Sequence, residues 1–179
     1  SLMQESEALT TMARAILLAK RLVGYVGSEE ISAKNMLALY NLSRESLKTV
    51  KELEGTDKFE DLGLPAELVE KCFERFDASK KLKSKYDYTD LLVSFYDLLR
   101  TDEKVKQHVQ TYYSAVIADE VQDFTPIMWR ILQLMTDNGT PLTCIGDEDQ
   151  CIYQFRGANI YDLLEFKQRF PGGVVYTLS

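Results

Sequence analysis

Two apolar runs that each end in an acidic cluster constrain this fold more than any other feature. Residues 115–118 (Ala-Val-Ile-Ala) lead into Asp-Glu-Val-Gln-Asp at 119–123, and residues 142–145 (Leu-Thr-Cys-Ile) lead into Gly-Asp-Glu-Asp-Gln at 146–150. A short apolar run bounded by polar residues is typical of a buried strand. Because open α/β sheets bind ligands beyond the carboxyl ends of their strands, the two clusters indicate a ligand site at one edge of a parallel sheet.

Cap and turn signals between and after these runs favour parallel connections. Thr125 and Pro126 combine a hydroxyl cap with a proline in the first helical turn, and residues 138–139 (Asn-Gly) end that helix. The expected elements are a strand at 114–118, a helix that buries Ile127, Ile131, Leu134 and Met135, a strand at 141–146, a helix around Leu163 and a strand at 174–178. Alternating strands and helices predict an α/β fold with a parallel sheet.

Apolar spacing predicts helices throughout the first hundred residues. We expect one helix over residues 5–24, a second that Ser32 caps and that continues to Gly55, and a third behind Pro65. The polar, glycine-containing stretch 55–63 indicates a loop between the last two helices. No strand pattern interrupts this region, so we expect a helical subdomain ahead of the sheet.

Residues 87–90 (Asp-Tyr-Thr-Asp) resemble a capping box, in which the side chains at the two ends of a first helical turn bond each other's backbone. The helix that follows is expected to turn its apolar residues inward, namely Leu91, Leu92, Phe95, Leu98 and Leu99. Just before it, residues 80–85 (Lys-Lys-Leu-Lys-Ser-Lys) form the most basic patch of the chain. We interpret this patch as a solvated helix end, with a DNA contact as the less favoured alternative.

The overall charge and the cysteine content exclude several classes of protein. A net charge of −7 argues against a large electrostatic footprint on nucleic acid, although it leaves room for contacts made by stacking. The three cysteines show no Cys-x-x-Cys spacing, which argues against a disulfide framework or a zinc site and favours a reducing, cytoplasmic location. No apolar run reaches the length of a membrane span, so we expect no membrane partner.

The first acidic cluster suits a magnesium–phosphate site. Mg²⁺ keeps several waters, so one carboxylate, Asp119, is enough to hold it. Glu120 is then placed to orient or deprotonate a water for attack on a phosphoryl group. Gln122 and Asp123 can sense the γ-phosphate or tie this loop to the next one. The alternative is an acidic turn at a strand end whose carboxylates merely cap a helix.

The second cluster adds groups that suit a nucleotide and a nucleic acid. Gln150 has the neutral donor–acceptor head that can contact a phosphate oxygen. Tyr153, Phe155 and Arg156 place two flat rings and a guanidinium within four residues, which suits the stacking of single-stranded bases. The alternative is that the aromatic residues belong to the core. No glycine in the chain is followed by lysine, so the phosphate loop of a nucleotide-binding domain is absent from this sequence.

Together, residues 119–123 and 146–158 resemble motifs II and III of superfamily 1 DNA helicases of the UvrD/Rep/PcrA type. Residues 86–92 (Tyr-Asp-Tyr-Thr-Asp-Leu-Leu) resemble the segment that leads from that family's helical 1B subdomain back to its 1A core. The resemblance implies a helical 1B-like subdomain over residues 1–86. It further implies a partial RecA-like 1A domain over residues 87–179, of the P-loop NTPase class, that lacks the phosphate-loop strand.

The resemblance also implies a role for each residue of the nucleotide site, with ATP and Mg²⁺ as cofactors. Asp119 would hold the magnesium of MgATP, and Glu120 would activate the hydrolytic water. Gln150 would contact the γ-phosphate and couple it to DNA, with Gln122 and Asp123 beside the nucleotide.

The same resemblance places three residues of the second cluster on DNA. Tyr153 and Phe155 would lie in the path of single-stranded DNA, and Arg156 would join the stacking residue or a nearby acid. Val121 stands where the family commonly has tyrosine, and Cys151 where it commonly has serine. Neither difference affects a group with an implied catalytic role.

The chain departs from the family by what it lacks. The family's phosphate loop is expected before residue 1, its Asn-Tyr-Arg motif after Ser179, and its second RecA-like domain beyond that. The chain begins Ser-Leu, which suggests processing or excision from a longer protein. We therefore expect no meaningful ATP hydrolysis by this chain alone. The parent would be an ATP-driven 3′-to-5′ helicase or translocase acting on single-stranded or partly duplex DNA, with its remaining domains as partners.

Absence of the phosphate-loop strand would leave unpaired edges in the sheet, which favour pairing with another chain. We therefore expect a rearranged sheet or a strand-exchanged homo-oligomer. Two alternative functions stay open, namely a non-catalytic binding or regulatory module and part of a helicase–nuclease of the AddA/RecB type.

Overall fold

The computed structural model describes residues 1–28, 30–147, 150 and 166–177. The helices are α1 (Glu5–Leu22), α2 (Ala33–Ser46), α3 (Val50–Leu53), α4 (Asp57–Glu60), α5 (Ala66–Leu82), α6 (Tyr88–Thr101), α7 (Glu103–Tyr112), α8 (Pro126–Thr136) and α9 (Phe166–Arg169). The strands are β1 (Val116–Ala118) and β2 (Leu142–Cys144), and one turn of 3₁₀ helix covers Val121–Asp123. A mostly helical chain with a small parallel sheet confirms the predicted α/β class. The chain divides into two compact units, residues 1–93 and 94–179, with the division inside α6.

The first unit is built around α1, which packs against both α2 and α5. Its core is formed by apolar residues at helical spacing, including Met12, Ala15, Ala19, Met36, Leu39, Leu68, Cys72 and Phe76. Burying one such large side chain stabilises the fold by about 1.5–3 kcal/mol. The helix predicted over residues 5–24 is confirmed as α1, which ends two residues earlier than predicted, and the helix predicted behind Pro65 is confirmed as α5.

The second predicted helix is confirmed at its start and wrong at its end. Ser32 caps α2 by accepting a hydrogen bond from the Asn35 backbone N–H at 3.3 Å. The helix ends at Ser46, because Leu47 adopts a left-handed conformation with φ of 58°. Thr49 then opens α3 with a capping box to Glu52, which offers the backbone a competing helix start. The predicted loop at 55–63 likewise contains a helical turn, α4.

A buried ion cluster anchors the start of α6, and it overturns part of the prediction for the lysine patch. The Lys80 side chain is 3% exposed, and its Nζ lies 2.8 Å from Asp87 Oδ2 and 2.8 Å from Asp90 Oδ1. Arg44 pairs with the same Asp90 carboxylate. Burial opposes ionisation of Asp90, but hydrogen bonds from Lys80 and Arg44 outweigh it and lower the pKa of this carboxyl. Lys80 is therefore a structural residue and not a solvated one.

The predicted capping box is confirmed, while the predicted inward face of α6 is partly wrong. The Asp90 N–H donates to Asp87 Oδ1 at 2.7 Å, and the Asp87 N–H donates to Asp90 Oδ2 at 2.9 Å. Thr89 is also buried, with its hydroxyl on Glu45 Oε1 at 2.9 Å. Because Thr89 and Asp90 fix which side of the helix meets the core, Leu91 is 52% exposed. Leu98, one heptad later on the same side, is 46% exposed.

The second unit is built on β1 and β2, which pair in parallel with Ile117 opposite Thr143. One face of the pair packs on α8 through a core of Ala118, Val121, Trp129 and Leu132. The strand predicted at 114–118 was expected to be buried, yet Ile117 on the opposite face is 73% exposed. The described sheet is therefore covered on one face only.

The strand predicted at 174–178 is wrong over residues 174–177, which form no strand. Val174, Val175 and Tyr176 are 67%, 56% and 84% exposed. A strand needs a hydrogen-bonded neighbour, and the sheet of the described residues consists of β1 and β2 alone. Residue 178 and the helix expected around Leu163 lie outside the described residues. No helix in the described ranges is both long and apolar enough to cross a bilayer.

Candidate functional site

The parallel pairing brings the two predicted acidic clusters to the same edge of the sheet. Asp119 follows β1 directly, and Asp147 comes three residues after β2. Two backbone hydrogen bonds extend the pairing beyond the strands, from Ile145 N–H to Ala118 O at 2.8 Å and from Val121 N–H to Ile145 O at 3.0 Å. The two loops are thus fastened together at their base.

Glu120 makes the turn that carries the chain away from β1. It adopts a left-handed conformation with φ of 54° and ψ of 39°, which costs a non-glycine residue about 1–2 kcal/mol. Its N–H donates to Asp119 Oδ1 at 2.9 Å, and the buried side chain of Val121 anchors the next residue. The turn leaves the carboxylates of Asp119 and Glu120 exposed to solvent, where a ligand can reach them.

Gln122, a residue only 2% exposed, connects the two loops through its amide head. Its Nε2 donates to Glu120 Oε2 at 2.5 Å, while its Oε1 accepts the Asp147 backbone N–H at 3.0 Å. A carboxylate could not make both bonds because it has no hydrogen to donate to Glu120. The side chain of Gln122 therefore ties Glu120 to the loop after β2.

Gln150 extends this network along the second loop. Its Nε2 donates to Asp147 Oδ2 at 2.5 Å, and its backbone N–H donates to the Asp147 carbonyl at 3.2 Å. A continuous path of hydrogen bonds and short stretches of chain therefore runs from Glu120 through Gln122 and Asp147 to Gln150. The structure brings these side chains together as the positions of the two clusters predicted.

Two residues of this network, Gly146 and Asp147, lie in the second predicted cluster but were given no individual role from the sequence. Asp147 carries the contacts of both Gln122 and Gln150. Gly146 permits the close approach of the loops, because a Cβ there would lie 2.9 Å from Gln122 Oε1 and 2.9 Å from Val121 Cγ2. The available signal was a glycine directly after an apolar run, which marks a close backbone approach.

The remaining candidate residues divide into two groups. Asp123 is half-buried, and its Oδ1 has no hydrogen-bond partner within the described ranges. Tyr153, Phe155 and Arg156, the residues expected to contact DNA, lie outside the described residues. In the described part of the chain, no three His, Cys, Asp or Glu side chains are grouped so as to hold a metal.

Beneath the site, burial raises the pKa of the Cys144 thiol on β2 to about 11, which keeps it protonated at neutral pH.

Comparison with known proteins identifies the group to which these features belong. The model of the UvrD/REP helicase N-terminal domain matches residues 4–171. The Bacillus subtilis protein YjcD is 32% identical over 111 residues, which cover 62% of this chain and 15% of that protein. The ATP-dependent DNA helicase UvrD2 of Mycobacterium tuberculosis is 37% identical over 93 residues, covering 52% of this chain and 13% of the relative.

A third relative matches over a greater length. The ATP-dependent DNA helicase Rep of Escherichia coli is 24% identical over 163 residues, covering 91% of this chain and 24% of the relative. The chain thus spans less than a quarter of the length of these curated relatives. Since the family model covers nearly the whole sequence, the chain belongs to the UvrD/REP helicase N-terminal domain family.

Proposed function

We propose that this chain is the segment of an ATP-dependent DNA helicase or translocase that couples MgATP hydrolysis to movement along single-stranded DNA. The hydrogen-bonded path from Glu120 through Gln122 and Asp147 to Gln150 carries this proposal. Such a path would link a group acting on phosphate to a loop that leads towards Tyr153 and Phe155. UvrD2 and Rep are ATP-dependent DNA helicases by name, which supports the same activity for the parent protein.

The donor set fits a magnesium ion bound together with a nucleotide. Asp119 Oδ1 accepts the Glu120 N–H, while no hydrogen bond to Oδ2 is formed within the described ranges. Mg²⁺ is held in nucleotide sites by one or two carboxylates together with waters and substrate phosphates, so a single exposed aspartate is sufficient. When bound, the ion would neutralise charge on the phosphate oxygens. We propose Asp119 as its protein ligand.

Glu120 is proposed as the general base. One of its oxygens, Oε2, is held by Gln122, which leaves Oε1 to take the proton from the attacking water. Gln122 is thereby a positioning residue, since it fixes the carboxylate that removes the proton. Asp123 and Gln150 would complete the nucleotide site, with Gln150 on the γ-phosphate. Both the backbone and the side chain of Gln150 are already held by Asp147.

The finer assignments follow from the family resemblance and are part of the same proposal. Residues 1–86 would form a 1B-like subdomain, and residues 87–179 a partial RecA-like domain without its phosphate-loop strand. Tyr153, Phe155 and Arg156 would contact DNA, and translocation would run 3′ to 5′. Without a phosphate loop to hold the β- and γ-phosphates, the chain alone would not hydrolyse ATP. A strand-exchanged oligomer would pair a strand of another chain with the sheet, and sedimentation analysis tests this directly.

The test of the catalytic assignment is Glu120→Gln in the full-length parent. Loss of a general base lowers turnover by about 10²–10⁴-fold, whereas ATP binding should stay within about twofold. Glu70→Gln removes a carboxylate from an exposed position of α5 and serves as the matched control. Wild-type turnover in Glu120→Gln would overturn the assignment of the base. Loss of ATP binding would instead indicate a structural role for this side chain.

A further inference from the structure

Exposed aromatic and basic side chains follow one another closely in the sequence where α5 ends and α6 begins. Tyr86 is 52% exposed and Tyr88 is 70% exposed. Leu82, in the last turn of α5, is 88% exposed. Lys81 and Lys83 are exposed as well, and neither forms an ion pair within the described ranges. These five residues, here called the Lys–Tyr face, lie wholly within the first unit.

The backbone beneath the Lys–Tyr face is held in place on both sides. Tyr86 pairs with the start of the chain, since its N–H donates to Ser1 O at 3.2 Å and its carbonyl accepts the Met3 N–H at 2.7 Å. Between the two tyrosines, Asp87 turns inward to Lys80 at 2.8 Å. The rings therefore extend from a fixed segment, which reduces the entropy lost when a ligand is bound.

The local charge of this face differs from that of the whole chain. Lys80 and Arg44 neutralise Asp87 and Asp90 internally, and Lys85 Nζ pairs with Glu7 Oε2 at 2.9 Å. Asp77 is 43% exposed but accepts the Tyr40 hydroxyl and lies 3.7 Å from Lys80 Nζ. Lys81 and Lys83 are thus left as excess positive charge on a chain whose net charge is −7.

We propose that the Lys–Tyr face binds single-stranded DNA, with bases stacked on Tyr86 and Tyr88 and phosphates paired with Lys81 and Lys83. Exposed rings beside unpaired cations are the combination that binds single strands without sequence preference. An acidic peptide would satisfy the lysines but would leave the flat faces of the rings without a stacking partner. The proposal rests on the proposed function for the choice of DNA, and it adds a contact separate from Tyr153, Phe155 and Arg156.

The experiment measures the anisotropy of a fluorescently labelled oligothymidylate with the full 179-residue chain, without nucleotide, over a series of salt concentrations. Tyr86→Ala and Tyr88→Ala should each weaken binding about tenfold and leave the salt dependence unchanged. The double variant Lys81→Gln/Lys83→Gln should lower the slope of log Kd against log salt by about 1.4, since each phosphate contact on a single strand contributes about 0.7.

Two matched controls distinguish binding at the Lys–Tyr face from a general effect of removing exposed lysines or tyrosines. Lys34→Gln/Lys51→Gln removes two other exposed lysines, and Tyr112→Ala removes another tyrosine that is 70% exposed. Neither control should alter the affinity by more than about twofold. All the substituted side chains are exposed, so circular dichroism and urea midpoints should match those of the wild type.

Three outcomes would overturn the proposal. They are no binding of the oligonucleotide by the wild-type chain at low salt, equal losses in the controls, or tighter binding of polyglutamate that the tyrosine variants also lose. The last outcome would assign the face to an acidic protein. Because the assay contains no ATP, its failure leaves the test of Glu120 in the parent unaffected. Failure of that test likewise leaves this binding measurement intact.

Discussion

Asp90 and Asp119 are the same residue type in two different settings, one in each unit of the chain. Asp90 is 8% exposed and bonded by Lys80 and Arg44, whereas Asp119 is exposed and accepts one hydrogen bond from its neighbour's backbone. In the first unit, Asp87 and Asp90 pair with Lys80 and Arg44 and hold α2, α5 and α6 together. In the second unit, Asp119 and Glu120 stand at the end of β1, and the described residues form no hydrogen bond to Asp119 Oδ2. We take unused bonding capacity on an exposed carboxylate as a mark of the candidate site, and saturated bonding capacity as a mark of the scaffold.

The largest expected loss of stability comes from breaking the ion cluster around Asp90. Lys80→Met removes the cation but leaves Asp87 and Asp90 in their largely buried positions. Removing one partner of a buried ion pair costs about 3–5 kcal/mol. Here Asp87 loses its cation, while Asp90 keeps only its pair with Arg44. Urea unfolding of the chain measures this loss. Lys81→Met, one residue later and exposed, should change the free energy of unfolding by less than about 0.5 kcal/mol. Equal effects of the two variants would show that Lys80 is not a structural residue.

Acid should weaken the same cluster. The pKa of Asp90 is lower in the folded chain than its ordinary value near 4, so its ionisation stabilises the fold above that pH. This contribution is lost as the pH falls through the lowered folded pKa. The difference in unfolding free energy between wild type and Asp90→Asn should therefore shrink progressively below about pH 4. A difference that stayed constant down to pH 2 would indicate a contribution independent of charge.

A substitution in the loops around the candidate site should cause an intermediate loss of stability. Gly146→Ala places a methyl group 2.9 Å from both Gln122 Oε1 and Val121 Cγ2, and overpacking of this kind costs about 1–3 kcal/mol. It should also displace Gln122, so the parent should lose ATP turnover more than ATP affinity. Thr143→Ala, at an exposed position of β2, is the control. Normal turnover in Gly146→Ala would mean that the loops can move apart without consequence.

The smallest expected loss of stability tests a local contact that involves neither Asp90 nor Asp119. Ser32→Ala removes the side-chain cap of α2, which should lower the free energy of unfolding by about 1 kcal/mol. Ser28→Ala, in the exposed segment before α2, should have no measurable effect. If both variants unfolded alike, the cap would contribute nothing beyond what water supplies.

Features that depend on neighbours a few residues apart could be predicted from the sequence. The cap at Ser32 and the capping box of residues 87–90 were recognised because donor and acceptor lie within one helical turn. The left-handed Leu47 was missed, because helical spacing alone cannot show that Thr49 and Glu52 offer the backbone a competing start. The candidate site was predicted in outline, since parallel strands place their carboxyl ends together. The individual roles of Gly146 and Asp147 in this site were not predicted, because they depend on how closely the two loops approach each other.

The sequence by itself determined the helical character of the first unit, the α/β character of the second and the meeting of two acidic loops at one edge of the sheet. Only the tertiary structure decided that Lys80 is buried, since its hydrogen-bond partner Tyr40 on α2 lies 40 positions earlier in the chain. It also decided that Ile117 is exposed and that residues 174–177 form no strand. Burial and strand pairing are properties of what lies across space from a residue, and a local pattern specifies only what that residue is suited to meet.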